Sequence, residues 1–337
     1  MNPKLRKTVQ FVFFFGLGLA LMYWQFSGFK EADKEKFFYA LKTAKYGWFA
    51  LAVFIGALSH LSRAVRWQQL LAPLGKKAGL GNRFYAVMTG YLANYGLPRS
   101  GEVIRSGMLI KTDDVPFSEA FGTVVVERIV DTLCLLLVFI CVLVFQFSQL
   151  QKLWMEYIWD PMQLKLDRIS ENNTVLIIII SVFAAFLIGA FLLRKQIGRF
   201  FTGKLGNFVK GFKEGMLSIR KVPKPGWFIF HSLFIWSGYL LSLYFCFFCF
   251  PLTTGMSMND ALAILLFGTF GVIFTPGGIG LYQIIVTGII AILLHLDKGS
   301  QEGASFAWLS WGAQVATVIL FFGISALGRS SLNHISK

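Results

Sequence analysis

The chain is predicted to be an all-α polytopic membrane protein, with about six full spans plus two re-entrant helical hairpins in an inverted-topology repeat. Three observations lead there. Of 337 residues, 55% are hydrophobic and the mean hydropathy is +0.62, and several apolar runs approach the roughly 20 residues that cross ~30 Å of hydrocarbon. The basic residues gather in short segments between those runs. Two further apolar stretches, around Pro98 and around Pro276, break at glycine and proline where a membrane helix would run on.

Taken in order, the first run covers 8–26. It is longer than the apolar region of a signal peptide and no small-residue cleavage site follows, so it reads as a retained span. Further spans are expected at 48–62, about 122–147, 174–193, 226–250 and about 304–327. Arg63, Arg66, Lys76, Lys77 and Arg83 follow the second span. The stretch 194–224 holds nine basic residues and one acid, Glu214, whereas 148–173 holds three basic residues and four acids. By the positive-inside rule the N-terminus, 63–83 and 194–224 are cytoplasmic and 148–173 is external.

Those sides fix how the interrupted stretches must lie. The first, a hairpin near 84–115, enters and leaves from the cytoplasm. The second, near 259–296, enters and leaves from outside, and the C-terminus with Arg329 and Lys337 ends inside. The halves 1–150 and 174–330 then each read span, span, hairpin, span, starting from opposite sides, within one integral-membrane domain over 1–337. Paired interruptions in a repeat of this kind point to a transport site. Non-helical backbone at membrane depth is tolerated only where protein or a wet cavity satisfies it.

Composition also removes function classes. The net charge of +15 lies in connectors rather than on one folded face, so no nucleic-acid partner is expected. The histidines His60, His231, His295 and His334 show no metal spacing, and there is no phosphate loop or nucleophile elbow. Neither a catalytic residue, a metal nor a cofactor is expected. Cys134, Cys141, Cys246 and Cys249 sit in apolar runs and read as packing residues. The stretch 195–221 interleaves aromatic and basic residues, as suits a helix lying on an anionic leaflet or a basic connector.

The charged candidates lie after the first break. Arg99, Glu102 and Arg105 are spaced i, i+3, i+6, one ladder of alternating sign if helical. Glu127, Arg128 and Asp131 fall within FGTVVVERIVDTLCLLL. Each such charge costs ~2.5 to 3.5 kcal/mol on insertion scales and normally faces the bundle interior in pairs. Arg128 and Asp131 suit an i, i+3 pair. The group reads either as a self-neutralised strut or as a site that also meets a polar headgroup or ion. Arg63 and Arg66, beside Trp67, read as anchors at the cytoplasmic interface or as phosphate contacts.

The segment NYGLPRSGEVIR, followed about two dozen residues later by VVVERIVDTL and then by TPGGIGLYQ, resembles the lysylphosphatidylglycerol synthase transmembrane region family, also called flippase-like or UPF0104 proteins. The likeness runs over nearly the whole chain, and RAVRW fits the arginine-rich end of the family's second span. It implies a multi-pass protein of a bacterial inner membrane, related to the flippase half of the multiple peptide resistance protein, which moves aminoacylated phosphatidylglycerol between leaflets.

The family's motif residues fall on Asn94, Pro98, Arg99, Gly101, Glu102, Arg105, Glu127, Arg128, Asp131, Pro276, Gly277, Gly278 and Gly280. Substrate contact is expected from Asn94, Arg99, Glu102, Arg105, Glu127, Arg128, Asp131 and Gln283, and hairpin turns from Pro98, Gly101, Pro276, Gly277, Gly278 and Gly280. Gln283 departs from the family, whose members often carry glutamate there. Only about ten residues follow Leu327, so no aminoacyl-transferase domain is expected. The expected partners are membrane lipids, an anionic phospholipid or a polyprenyl lipid, and a homo-oligomer stays open. Alternatives are a membrane transferase using Glu102 or Asp131 as a base, and a non-transporting scaffold.

Overall fold

The computed structural model describes residues 16–154 apart from 17, 19 and 98, then 217–296 and 301–335. The expected span at 174–193, nearly all of the amphipathic stretch at 195–221, the start of the first span and Pro98 lie outside the described residues. Two compact units divide the chain, one made of Met1–Phe139 with Phe212–Lys337 and one of Ile140–Gly211. The account below concerns the first.

Among the described residues the regular structure is helical and contains no strand. After a helical stretch at 20–27 come α1 (Glu31–Thr43), α2 (Tyr46–Leu71), α3 (Leu80–Asn94), α4 (Ser100–Asp113), α5 (Phe117–Trp154), α6 (Pro225–Phe247), α7 (Met258–Phe274), α8 (Leu281–Leu293) and α9 (Gln301–Ile335). Four stretches are long and apolar enough to cross a membrane: Tyr46–Leu74, Phe117–Gln146, Pro225–Phe247 and Gln301–Gly328. The chain is an all-α polytopic membrane protein.

Helix α2 runs on past the expected span end at 62. It covers 26 residues, about 39 Å at 1.5 Å per residue, and Arg63 and Arg66 in its last third are buried against other helices. Small residues let its neighbours approach closely, as membrane helices require. Gly238 of α6 lies against Ser59, and Gly56 against Thr317 of α9, whose hydroxyl donates to the Val53 carbonyl at 3.2 Å. Helix α1 was not expected. Its 13 residues are rich in charge, and it lays Phe37 edge-on to Phe26 at 5.3 Å while packing along α9.

The two interrupted stretches are both helical hairpins. In the first, α3 and α4 close at their open end where Asp113 Oδ1 accepts from Gly79 N at 2.8 Å and Asn82 Nδ2 at 3.1 Å. Near the turn, Gly90 and Gly101 put backbone against backbone, and Asn94 Oδ1 accepts from Gly101 N at 2.8 Å. In the second, α7 and α8 pack Gly268 and Gly271 against Tyr282. Pro276 opens its turn as the first residue of a short 3-10 segment, and Gly277, Gly278 and Gly280 have φ of 56°, 85° and 81°. Those values lie in the region glycine alone enters freely.

The tips meet. Tyr95, just past α3, packs its ring on Gly277, and Trp311 Nε1 of α9 donates to the Gly277 carbonyl at 2.9 Å. The rings of Tyr95 and Trp311 stand edge-on at 6.3 Å.

Gly101 has ordinary helical geometry, so space alone makes it a glycine: an added Cβ would overlap the Gly90 carbonyl group and come within 2.8 Å of Asn94 Oδ1. Gly107, on the same helix, has nothing within 4 Å of that position. Gly101→Ala is expected to destabilise the protein by about 1 to 3 kcal/mol, as overpacking does, while Gly107→Ala leaves it unchanged or slightly more stable. Thermal unfolding of both variants in one detergent checks the difference.

Candidate functional site

The site grows from the last third of α2. Arg63 and Arg66 are three residues apart and therefore share a face, and α5 brings Glu127 and Asp131, four apart, opposite them. Asp131 is the centre. Its Oδ2 accepts from Arg63 Nη1 at 2.6 Å and its Oδ1 from Arg66 Nη2 at 2.8 Å. Such charge-assisted bonds are the strong ones. Each arginine also donates to α6: Arg63 Nη2 to the Tyr239 hydroxyl at 3.3 Å and Arg66 Nη1 to Ser232 Oγ at 2.9 Å.

The first hairpin joins through Arg105 of α4, which forms a short ion pair with Glu127 and holds its guanidinium over the Trp67 ring at 4.9 Å. Trp67 in turn donates to Thr123 Oγ1 at 2.9 Å. Glu127 Oε1 lies 3.8 Å from Arg66 Nη2. Towards the more open side, Arg128 pairs with Glu102 Oε1 at 3.1 Å and with Asp131 Oδ2 at 3.5 Å. Arg63, Arg66, Arg105, Glu127 and Asp131 are buried, whereas the side chains of Glu102 and Arg128 are 18% and 38% exposed.

Within this network four guanidinium groups face three carboxylates, which leaves one positive charge in excess. Arg105 keeps both Nε and Nη1 buried and without a hydrogen-bond partner among the described residues, and Nε of Arg63 and of Arg66 is in the same condition. A buried cation is costly unless it is paired and hydrogen-bonded. The arrangement is therefore suited to an anionic oxygen-bearing group.

The expected residues separate into two sets. Glu102, Arg105, Glu127, Arg128 and Asp131 come together. The i, i+3, i+6 ladder does not form along one helix: Arg99 is exposed at φ 60°, ahead of α4, while Glu102 and Arg105 pair across to α5. The side-chain oxygen of Asn94 is engaged by the hairpin backbone. Gly101 belongs to the first turn of α4 rather than to the loop.

Gln283 lies buried on α8, and neither amide atom has a hydrogen-bond partner among the described residues. One turn on, Thr287 accepts from Gln25 at 3.1 Å.

Arg63 and Arg66, expected as interfacial anchors or phosphate contacts, are part of the network, and Tyr239 and Ser232 join it without a signal in the sequence. The available signal was the i, i+3 spacing of two arginines on one face of an apolar helix. Arg83, grouped with the connector charges, is also buried. It donates to the carbonyls of Ala64 and Ala78 and so ties the base of the first hairpin to α2.

Fold and site together define an integral membrane protein that holds a charged network within a helical bundle, beside two helical hairpins that meet tip to tip. The chain matches the lysylphosphatidylglycerol synthase TM region family over residues 9–323, and it belongs to that family. A UPF0104 membrane protein of Methanocaldococcus jannaschii is 35% identical over 85 residues, 24% of this chain and 25% of that protein, so the matched stretch spans a quarter of the curated relative. No solved structure matches.

Asp131→Asn leaves Arg63 and Arg66 without their common counterion in a buried setting. The expected loss is about 3 to 5 kcal/mol of stability, as when one partner of a buried pair is removed. Glu31→Gln, which breaks an exposed pair with Lys34, is expected to change stability by less than about 1 kcal/mol. Denaturant unfolding in mild detergent compares the two.

Proposed function

We propose that this protein is a lipid translocase that carries the headgroup of an anionic or modified phospholipid, or of a polyprenyl-linked lipid, between the leaflets of a bacterial inner membrane. The observation that carries this reading is the excess buried positive charge, with unpaired N–H groups on Arg105, in a network that reaches towards the hairpin tips through Arg63. Tyr91 lies under the Arg63 guanidinium at 5.9 Å, and Tyr95, four residues on, touches Gly277. Four residues of helix rise about 6 Å.

In this reading the hairpins are re-entrant, one from each side, and the two halves form an inverted repeat with both termini in the cytoplasm. The phosphate of the headgroup meets Arg105 and the neighbouring guanidinium groups while the acyl chains stay in the bilayer. Glu127 and Asp131 hold the arginines in place, and the more exposed Glu102 and Arg128 form the approach. The contact of Tyr95 with Gly277 separates the two sides. The reading requires no covalent step and no cofactor.

A second reading is supported by the ion pairs themselves. Because each arginine already has a carboxylate partner, the network also suits a structural strut in a protein that moves nothing.

Flux of a fluorescent phosphatidylglycerol across reconstituted vesicles separates them. The translocase reading expects wild-type flux well above that of protein-free vesicles and an Arg105→Gln variant slower by tenfold or more at an unchanged unfolding temperature. Flux in the variant equal to wild type, or none above background in wild type, would favour the strut.

A further inference from the structure

Beside the network lies a titratable group that the translocase reading does not use. His60 is three residues before Arg63 on the same face of α2, is 7% exposed, and its Nδ1 has no hydrogen-bond partner among the described residues. Its ring lies 4.4 Å from that of Tyr91 on α3 and 5.7 Å from that of Tyr239 on α6. The two tyrosine hydroxyls are 3.3 Å apart, and Tyr239 also accepts from Arg63. The imidazole thus packs on the two tyrosine rings whose hydroxyls meet beside the guanidinium held by Asp131.

We propose that His60 is a proton-binding site coupled to the occupancy of the arginine network: it is neutral when the network is empty and takes up one proton when an anionic headgroup binds. The inference rests on the reading of the network as an anion site. In the empty state the charge beside His60 is positive. Arg63 lies one helical turn along the same face of α2, and the network as a whole has one cation more than it has carboxylates. Of the remaining ionisable groups, Glu127 and Asp131 of α5 and Glu102 of α4 are bound to arginines, and His231 of α6 is engaged by Ser62 on the other side of Arg66.

A bound phosphodiester cancels the excess charge. The same imidazole then sits against two tyrosine rings, whose faces favour a cation, and its free Nδ1 accepts the proton. Because the anion-bound form holds more protons than the free form, anion affinity must rise as pH falls. The converse also follows, since coupling between two ligands is reciprocal: headgroup release on the more alkaline side expels the proton there. A proton gradient would thereby favour movement of the headgroup in one direction.

Titration calorimetry of the detergent-solubilised full chain with dihexanoyl phosphatidylglycerol tests this, because the phosphodiester keeps one charge from pH 8 to pH 5. Run in two buffers of different ionisation heat, the wild-type protein is expected to take up protons on binding, up to one per lipid, with affinity rising about tenfold per pH unit where His60 titrates. His60→Gln should bind at pH 8 as the wild type does and show a flat pH profile, and His231→Gln should keep the wild-type slope. Binding without proton uptake in the wild type, or an unchanged slope in His60→Gln, overturns the coupling and leaves the translocase reading standing. Absence of any binding to the wild type overturns the coupling and, with it, phosphatidylglycerol as the lipid of the translocase reading.

Discussion

One carboxylate holds this molecule's centre together. Asp131 accepts from two buried arginines of α2, each of which reaches on to α6, so a single residue fixes three long helices against one another. In hydrocarbon neither arginine could stay charged and unpaired, and neither could the aspartate. The pairing therefore sets the register of α2 on α5 and α6, and the first hairpin is then docked through Arg105 on Glu127 and Arg83 on the α2 backbone.

Close backbone approach does the rest. Without a hydrophobic drive between helices surrounded by lipid, small residues and hydrogen bonds decide where helices meet, and the contacts of Gly238 with Ser59, Gly101 with Gly90 and Gly277 with Tyr95 occupy those places. The result is a frame carrying two short hairpins whose tips are in contact. The charged network is linked to that contact along α3, which carries Tyr91 under Arg63 and Tyr95 against Gly277.

Much of this was legible. Hydropathy found the four long spans among the described residues, and the breaks at Pro98 and Pro276 marked both hairpins, because proline lacks the N–H that would continue a helix and glycine enters the turn freely. The motif residues Glu102, Arg105, Glu127, Arg128 and Asp131 were among the charged candidates, together with Arg99, which the structure leaves outside the network. Their pairing was not legible. Local spacing suggested Arg128 as the mate of Asp131 and a ladder along α4, whereas the closer bonds to Asp131 come from Arg63 and Arg66, more than sixty residues away in the chain. Intrahelical spacing is visible in a sequence, but a choice between an i, i+3 neighbour and a distant arginine depends on which helix faces which.

The sequence by itself therefore determined the all-helical membrane class, the positions of the interruptions and the identity of the charges that membrane burial makes costly. Only the tertiary structure decided that Arg63 and Arg66 are buried against α5 and α6, that Arg99 stays outside the network, and that Tyr95 closes on Gly277. The physical reason is that hydropathy and helical periodicity act along the chain. Neutralising a buried charge and filling a gap left by a glycine are instead contacts between helices, set by packing that no single segment encodes.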